Sequence, residues 1–294
     1  MEDDVAKFLG VIVVCISYAA CAQIESGTII VLNITKDKII MAADSRVGSI
    51  PPDDTHCKIF AFGHKTLFTG TGNANVIPWG FPLLQGWRDA DVAHTIIAAH
   101  RDEHTDAASR LNTIADQWAD TIRGNWENML HWHPNDVLQA ARKNNHVLTV
   151  GLFIEQHHWW AAVILLVENP LPRVGYMIMR DGDFGKKCWP CHQKRSSQIC
   201  ALGEYQPIET IANFCSENTS KRTLKQDWAT WTKQASPQLR KLTKDELWPM
   251  RLAELAIAKD TSGTVHLPVD LIETVPNGSV RWLYKKPNCP ENQD

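Results

Sequence analysis

The feature that most limits the fold is a pair of apolar, β-branched runs near the start of the chain. Thr28 to Ile34 (TIIVLNI) has the composition of a strand, and after a turn at Asp37-Lys38 the run Ile39 to Ala43 (IIMAA) predicts a second, buried strand. The two make a hairpin. Lys58 to Phe62 (KIFAF), a turn at Gly63-His64-Lys65 and Thr66 to Thr69 predict another hairpin, which Gly70-Thr71-Gly72 is expected to break. From Asp89 to roughly Trp126 the apolar period becomes helical, with Ala107, Leu111, Ile114, Ala115, Trp118 and Ile122 on one face of the second of two helices. His146 to Glu155 and Trp159 to Glu168 predict a third hairpin, with a fourth strand pair near Gly175 to Arg180. Short helices are expected at Ile208 to Phe214 and Leu252 to Lys259, and strands at Val265 to Thr274 and Val280 to Tyr284. Runs of strands alternating with runs of helices argue for an α+β layered fold, not for alternating βαβ units. The polar, helix-prone stretch from Cys215 to Trp248 reads as an insertion.

A chain of 294 residues holds a large core, and a 44% apolar, 21% charged composition excludes a disordered or coiled-coil chain. The net charge of −3 gives no bulk attraction to nucleic acid, and no phosphate-binding loop is visible. Phe8 to Ala22 carries no charge but is shorter than the roughly 20 residues of a membrane span. With Ala20-Cys21-Ala22 as an A-x-A-like cleavage site, it reads as a secretory signal, although the residues ahead of it are mostly acidic. The expected organisation is a signal-like segment at 1–22, a short pro-segment at 23–27, one main domain at 28–286 and a flexible tail at 287–294. The expected location is outside the cytosol, secreted or periplasmic. A cytoplasmic protein with a removable pro-segment is the alternative.

One constellation carries chemistry. Gly27-Thr28 opens the first strand, Asp44 lies in Ala42-Ala43-Asp44-Ser45-Arg46, Lys58 follows, then Gly72 inside TGTGNA, and late in the chain Lys259-Asp260-Thr261-Ser262-Gly263. A threonine hydroxyl is a poor nucleophile unless a base stands next to it. A free α-amine, with an ordinary pKa of about 8, can be that base. Lys58 could keep the amine neutral by like-charge repulsion, Asp44 could hold Lys58, and the Gly72 N–H could face an oxyanion.

With this spacing the chain resembles the proteasome β-type subunits of the N-terminal-nucleophile hydrolase superfamily. The resemblance implies a four-layer αββα sandwich. It implies that Thr28 is the nucleophile exposed by autocatalytic cleavage at Gly27-Thr28, with Asp44 and Lys58 as its charged partners and Gly72 as the oxyanion glycine. By the same resemblance Asp260 and Ser262 support the amine, Gly48 lies along the substrate, and Gly70 floors a side-chain pocket. The implied activity is threonine-type hydrolysis of peptide amides, with no cofactor and no metal, on peptide or protein substrates, in a homo-oligomer or ring assembly. The pattern departs in places. Gly48 replaces a threonine common in the family, the late motif is D-x-S-G, and no serine stands around Ala201-Leu202-Gly203-Glu204. An inactive structural or binding subunit and a small-molecule amidase are the rival functions.

The remaining motifs have weaker claims. Once the leader is removed, six cysteines remain, enough for three bridges of unassigned connectivity. Cys188-Trp189-Pro190-Cys191 lacks the following helix that a redox dithiol needs, and a zinc site with His192 lacks a second CxxC. His131-Trp132-His133 and His157-His158-Trp159-Trp160 read as surface histidines beside aromatics, and Asn33, Asn218 and Asn277 fit the N-glycosylation pattern.

Overall fold

The structure is a computed structural model, and it describes residues 23–26, 28–45, 57–77, 86–180, 188–189, 197–203, 228–260, 265–275, 277–287 and 289. The signal-like segment, Gly27, Gly48, Ser262, the expected helix at Ile208 to Phe214 and the Cys191-His192 pair lie outside them. The chain is α+β, with two antiparallel sheets and helices packed on them.

The first sheet is built round one long strand, β5 (Thr66–Ile77). It pairs with β4 (Ile59–Phe62), β7 (Val147–Glu155), β1 (Gln23–Ser26) and β6 (Trp87–Arg88), and the sheet continues through β8 (His158–Val167) to β9 (Arg173–Arg180). The second sheet runs β10 (Cys188–Trp189), β11 (Ser197–Gly203), β2 (Ile29–Thr35), β3 (Ile39–Ala43), β12 (Asp270–Thr274), β13 (Val280–Tyr284). The three hairpins read from the sequence are thus present, β2–β3 in the second sheet and β4–β5 and β7–β8 in the first, and the two late strands pair as β12–β13.

Alternation along the strands sends side chains to three separate cores. Ile30, Leu32, Met41 and Ile272 of the second sheet meet Leu67, Leu152, Ile154 and Ala161 of the first, so the sheets pack face to face. The outer face of the first sheet receives α1 (Asp89–Ala99), α2 (Ala107–Trp132) and α3 (Pro134–Lys143), with Trp118 and Trp126 fully buried among Phe68, Phe153 and Leu148. The outer face of the second receives α4 (Lys244–Lys259) and helical residues 228–234.

Two sequence expectations are corrected. Gly70-Thr71-Gly72 does not end the strand, because β5 runs on to Ile77, with Gly70 opposite Gly151 and Gly72 opposite Thr149. Gly151 serves the helix layer: a methyl group on it would lie 2.7 Å from the Trp118 ring. Next, the short helix expected at Leu252 starts eight residues earlier, at Lys244. Thr243 and Glu246 form a reciprocal capping box there, a signal visible in Thr243-Lys244-Asp245-Glu246. Pro249 inside α4 cannot donate to the carbonyl of Asp245, and Asn33 Nδ2 of β2 donates to that oxygen instead, at 3.0 Å. The helix is further pinned to the sheet by Lys38 and Arg281, both paired with Glu246. Within the expected tail at 287–294, Cys289 is 3% exposed and disulfide-bonded to Cys57.

Candidate functional site

The two sheets meet chemically where β2, β3, β4 and β5 come together. Asp44 leaves the end of β3 fully buried and accepts hydrogen bonds from three directions. The Ile29 N–H donates to Oδ1 at 2.9 Å, the His266 N–H to Oδ2 at 3.3 Å, and Lys58 Nζ to Oδ1 and Oδ2 at 3.0 and 3.2 Å. The Ile29 carbonyl in turn accepts from the Asp44 N–H. Lys58 itself is 6% exposed. Burial pushes the pKa of Lys58 down, while the neighbouring carboxylates of Asp44 and Asp89 pull the other way and Lys286 adds to the fall. The backbone of Thr28 is therefore fixed through Ile29 to the carboxylate that holds Lys58.

The other side of Thr28 is fixed by β5. Thr71 Oγ1 donates to the Thr28 carbonyl at 3.3 Å, and β1 pairs antiparallel with β5 so that Ser26 stands opposite Asn73. The residues flanking the Gly27–Thr28 bond thus touch β5 on either side of Gly72. Gly72 has φ +83°, a conformation that L side chains rarely adopt, and a Cβ there would lie 2.9 Å from the Leu148 carbonyl oxygen.

Of the residues expected from the sequence, Thr28, Asp44, Lys58 and Gly72 come together. Asp260 is the C-cap of α4 and accepts from the Val265 N–H at 3.3 Å, one residue before the His266 N–H that reaches Asp44. Its link to the site runs through that loop. Gly70 lies on β5 against Asp89. Gly27, Gly48 and Ser262 lie outside the described residues.

The sequence reading missed four groups. Thr71 was passed over as part of a glycine turn. Cys57 and Cys289 tie the residue before Lys58 to the chain's end. Lys286 and Asp270 form a second buried ion pair, Nζ–Oδ2 2.8 Å, beside the first, because Asp270 pairs with Ala43 in β12–β3. Asp89 opens α1, and burial pushes its carboxyl up to about 7. The six cysteines outside the leader were the visible signal for a disulfide, though not for its pairing. The others depend on contacts between elements far apart in sequence.

Among the described residues, no group of three or more His, Cys, Asp or Glu is arranged to hold a metal ion, and no helix is long and apolar enough to cross a membrane. A cavity of about 330 Å³ lined by His64, His94, Arg101, Arg110 and Glu155 lies at the other end of the β4–β5 hairpin from Lys58, and Arg110 and Glu155 pair with each other there. No family model matches the chain, and no curated protein matches its sequence.

Two outcomes are expected. Asp44→Asn leaves the buried Lys58 without its counter-charge and should cost about 3–5 kcal/mol in urea denaturation; a loss below about 1 kcal/mol would contradict the pairing. For Asp89, the folded carboxyl titrates near 7 against 3.8 for the free group, so the folded state binds more protons between those values. Stability of the wild type relative to Asp89→Asn should therefore fall as pH rises from about 4 to about 7, read as a change in the difference between their urea midpoints. A difference that is flat over that range would contradict the assignment.

Proposed function

We propose that the chain is a threonine-type N-terminal-nucleophile hydrolase of peptide amides, with the four-layer αββα sandwich of that superfamily. The observation that carries the reading is the bonded path from Thr28 to Lys58: Ile29 N–H to Asp44, and Asp44 to Lys58, with Thr71 of β5 holding Thr28 from the opposite side. The helix, sheet, sheet and helix contacts of the three cores support the layered architecture.

In this reading the chain is its own first substrate. Thr28 Oγ attacks the carbonyl of Gly27, the acyl group passes from nitrogen to oxygen, and water hydrolyses the ester to free the Thr28 amine. That amine then takes the Oγ proton as Oγ attacks the carbonyl of a substrate amide. The C–N bond breaks with the proton delivered to the leaving amine, and water releases the acyl-enzyme. Lys58, buried and charged beside Asp44, keeps the amine in its neutral, basic form. The Gly72 N–H faces the developing oxyanion. β1 supports the same geometry: departure of Gln23–Ser26 leaves the β5 edge at Asn73–Ile77 for an extended peptide to pair with. The Cys57–Cys289 disulfide supports an exported protein, since such bonds persist in oxidising compartments.

An inert subunit of the same fold is favoured by one specific observation. Where the family carries a serine near 201–204, β11 places buried Ala201 and Leu202 opposite Val31 and Ile30. The N-terminal residue and intact mass of purified protein, beside a Thr28→Ala control, decide between them. The expected mature chain begins at Thr28 and does not form in the control. A chain that keeps Gly27 joined to Thr28 in both proteins would favour the inert subunit.

A further inference from the structure

Three hairpin turns meet at the end of β4–β5 that lies away from Lys58. They are Gly63-His64-Lys65 of β4–β5, Gln156 of β7–β8 and Asn277-Gly278-Ser279 of β12–β13. Gly63 and His64 are both left-handed, with φ +55° each, as a tight two-residue hairpin turn requires. Between this turn, the end of α1 and the first turns of α2 lies the cavity of about 330 Å³. A second space of about 420 Å³ adjoins it, since Lys65, Arg110 and Glu155 line both. The first space alone reaches the size of small-molecule sites.

The floor of the cavity is fixed by the protein's own bonds. Glu155 is 1% exposed and accepts from Thr66 Oγ1 and from Arg110 Nε, both at 3.1 Å. Arg110 Nη1 donates to the Glu103 and Thr105 carbonyls at 3.1 and 2.8 Å, so this guanidinium is held in place. His100 is held as well, with Nδ1 2.6 Å from Glu103 Oε1 and Nε2 2.9 Å from Gln117 Oε1. The other charged or titratable groups on the lining are the cations Lys65 and Arg101, the rings of His64 and His94, and one carboxylate, Asp102. The carbonyls of Ile96, Ile97 and Ala98 at the end of α1 already receive the His100 and Arg101 N–H groups, which blunts the negative helix end. An apolar surface completes the lining. His94 stacks on Phe62, with ring centroids 5.4 Å apart and planes 13° from parallel, and Ile97 and Ile114 line the same cavity.

We propose that this cavity binds a small organic anion, a carboxylate or phosphate monoester carried on a planar apolar body. Lys65 and Arg101 meet the charge, and the Phe62–His94 stack takes the body. Two cations face one carboxylate in a recess, where their attraction for an anion is stronger than on an open surface. A cationic ligand of the same size would meet like charge, and a neutral one would gain only the apolar contact. In the adjoining space Gln156, Asn277 and Ser279 add uncharged polar groups for a ligand that extends into it. The site lies away from Thr28 and Lys58 and does not depend on threonine-hydrolase chemistry.

Calorimetric titration of the purified chain with phenyl phosphate and with benzoate tests the site. At least one should bind with a dissociation constant of about 1 mM or tighter, the range open to a ligand of about ten heavy atoms. The tighter of the two identifies the preferred head group. Benzylamine and benzyl alcohol, of similar shape, should bind about tenfold more weakly or worse. Inorganic phosphate should bind more weakly than phenyl phosphate, because it lacks the part that stacks. Lys65 and Arg101 are both exposed, so their truncation spares the core. The double variant Lys65→Ala, Arg101→Ala should weaken the anion about tenfold or more with its thermal melting unchanged. If melting shows that it is misfolded, Lys65→Glu alone carries the test. No binding of either anion at about 10 mM, equal binding of benzylamine, or anion binding unmoved by the variants overturns the proposal.

Discussion

The buried Asp44–Lys58 pair is the interaction on which the rest depends. Asp44 ends a strand of one sheet and Lys58 precedes a strand of the other, so the pair is a polar tie across an otherwise apolar interface. Two charges removed from water are tolerable only if each remaining lone pair and proton is met. Here the Ile29 and His266 N–H groups complete the carboxylate. Those same two bonds fix the start of β2, and hence Thr28, and the loop that follows α4. One carboxylate therefore sets the position of the proposed nucleophile, the proposed lysine and the late loop together. The Cys57–Cys289 disulfide and the Lys286–Asp270 pair lie immediately behind, so the end of the chain braces the segment that carries Lys58.

The second constraint is the length of β5. Along its twelve residues it meets β7, β4, β1 and β6, and it presents Thr71, Gly70 and Gly72 to three different neighbours. Thr71 faces Thr28, Gly70 makes room for Asp89, and Gly72 takes a backbone conformation closed to other residues. A strand with side chains at 70 and 72 would have neither the carboxylate over position 70 nor the turned backbone at 72. Local propensity and site geometry conflict at these two positions, and the site prevails.

This explains how much was legible in the sequence. The hairpins were readable because apolar alternation and turn residues are local signals, and β2–β3 and β7–β8 appear within a residue or two of their expected bounds. Thr28, Asp44, Lys58 and Gly72 were readable because they lie on or beside those hairpins at fixed spacings. Gly70-Thr71-Gly72 misled because glycine in a strand looks like punctuation unless the side chain that fills its place is known. Asp89 lies too far along the chain from Gly70 for spacing to connect them. The start of α4 was missed for a different reason: its capping box was present in the sequence, but it lay within the polar stretch read as an insertion. The Asn33 bond to Asp245 is what makes Pro249 tolerable, and it joins residues more than two hundred positions apart.

The most direct test of the account is to treat the purified chain with a β-lactone, which acylates activated hydroxyls, and to locate the adduct by peptide mass spectrometry. The account predicts one ester, on Thr28, formed only in chains whose N-terminus is Thr28 and absent in Lys58→Ala. An adduct on another residue, or a processed chain that stays unlabelled at Thr28, would contradict it.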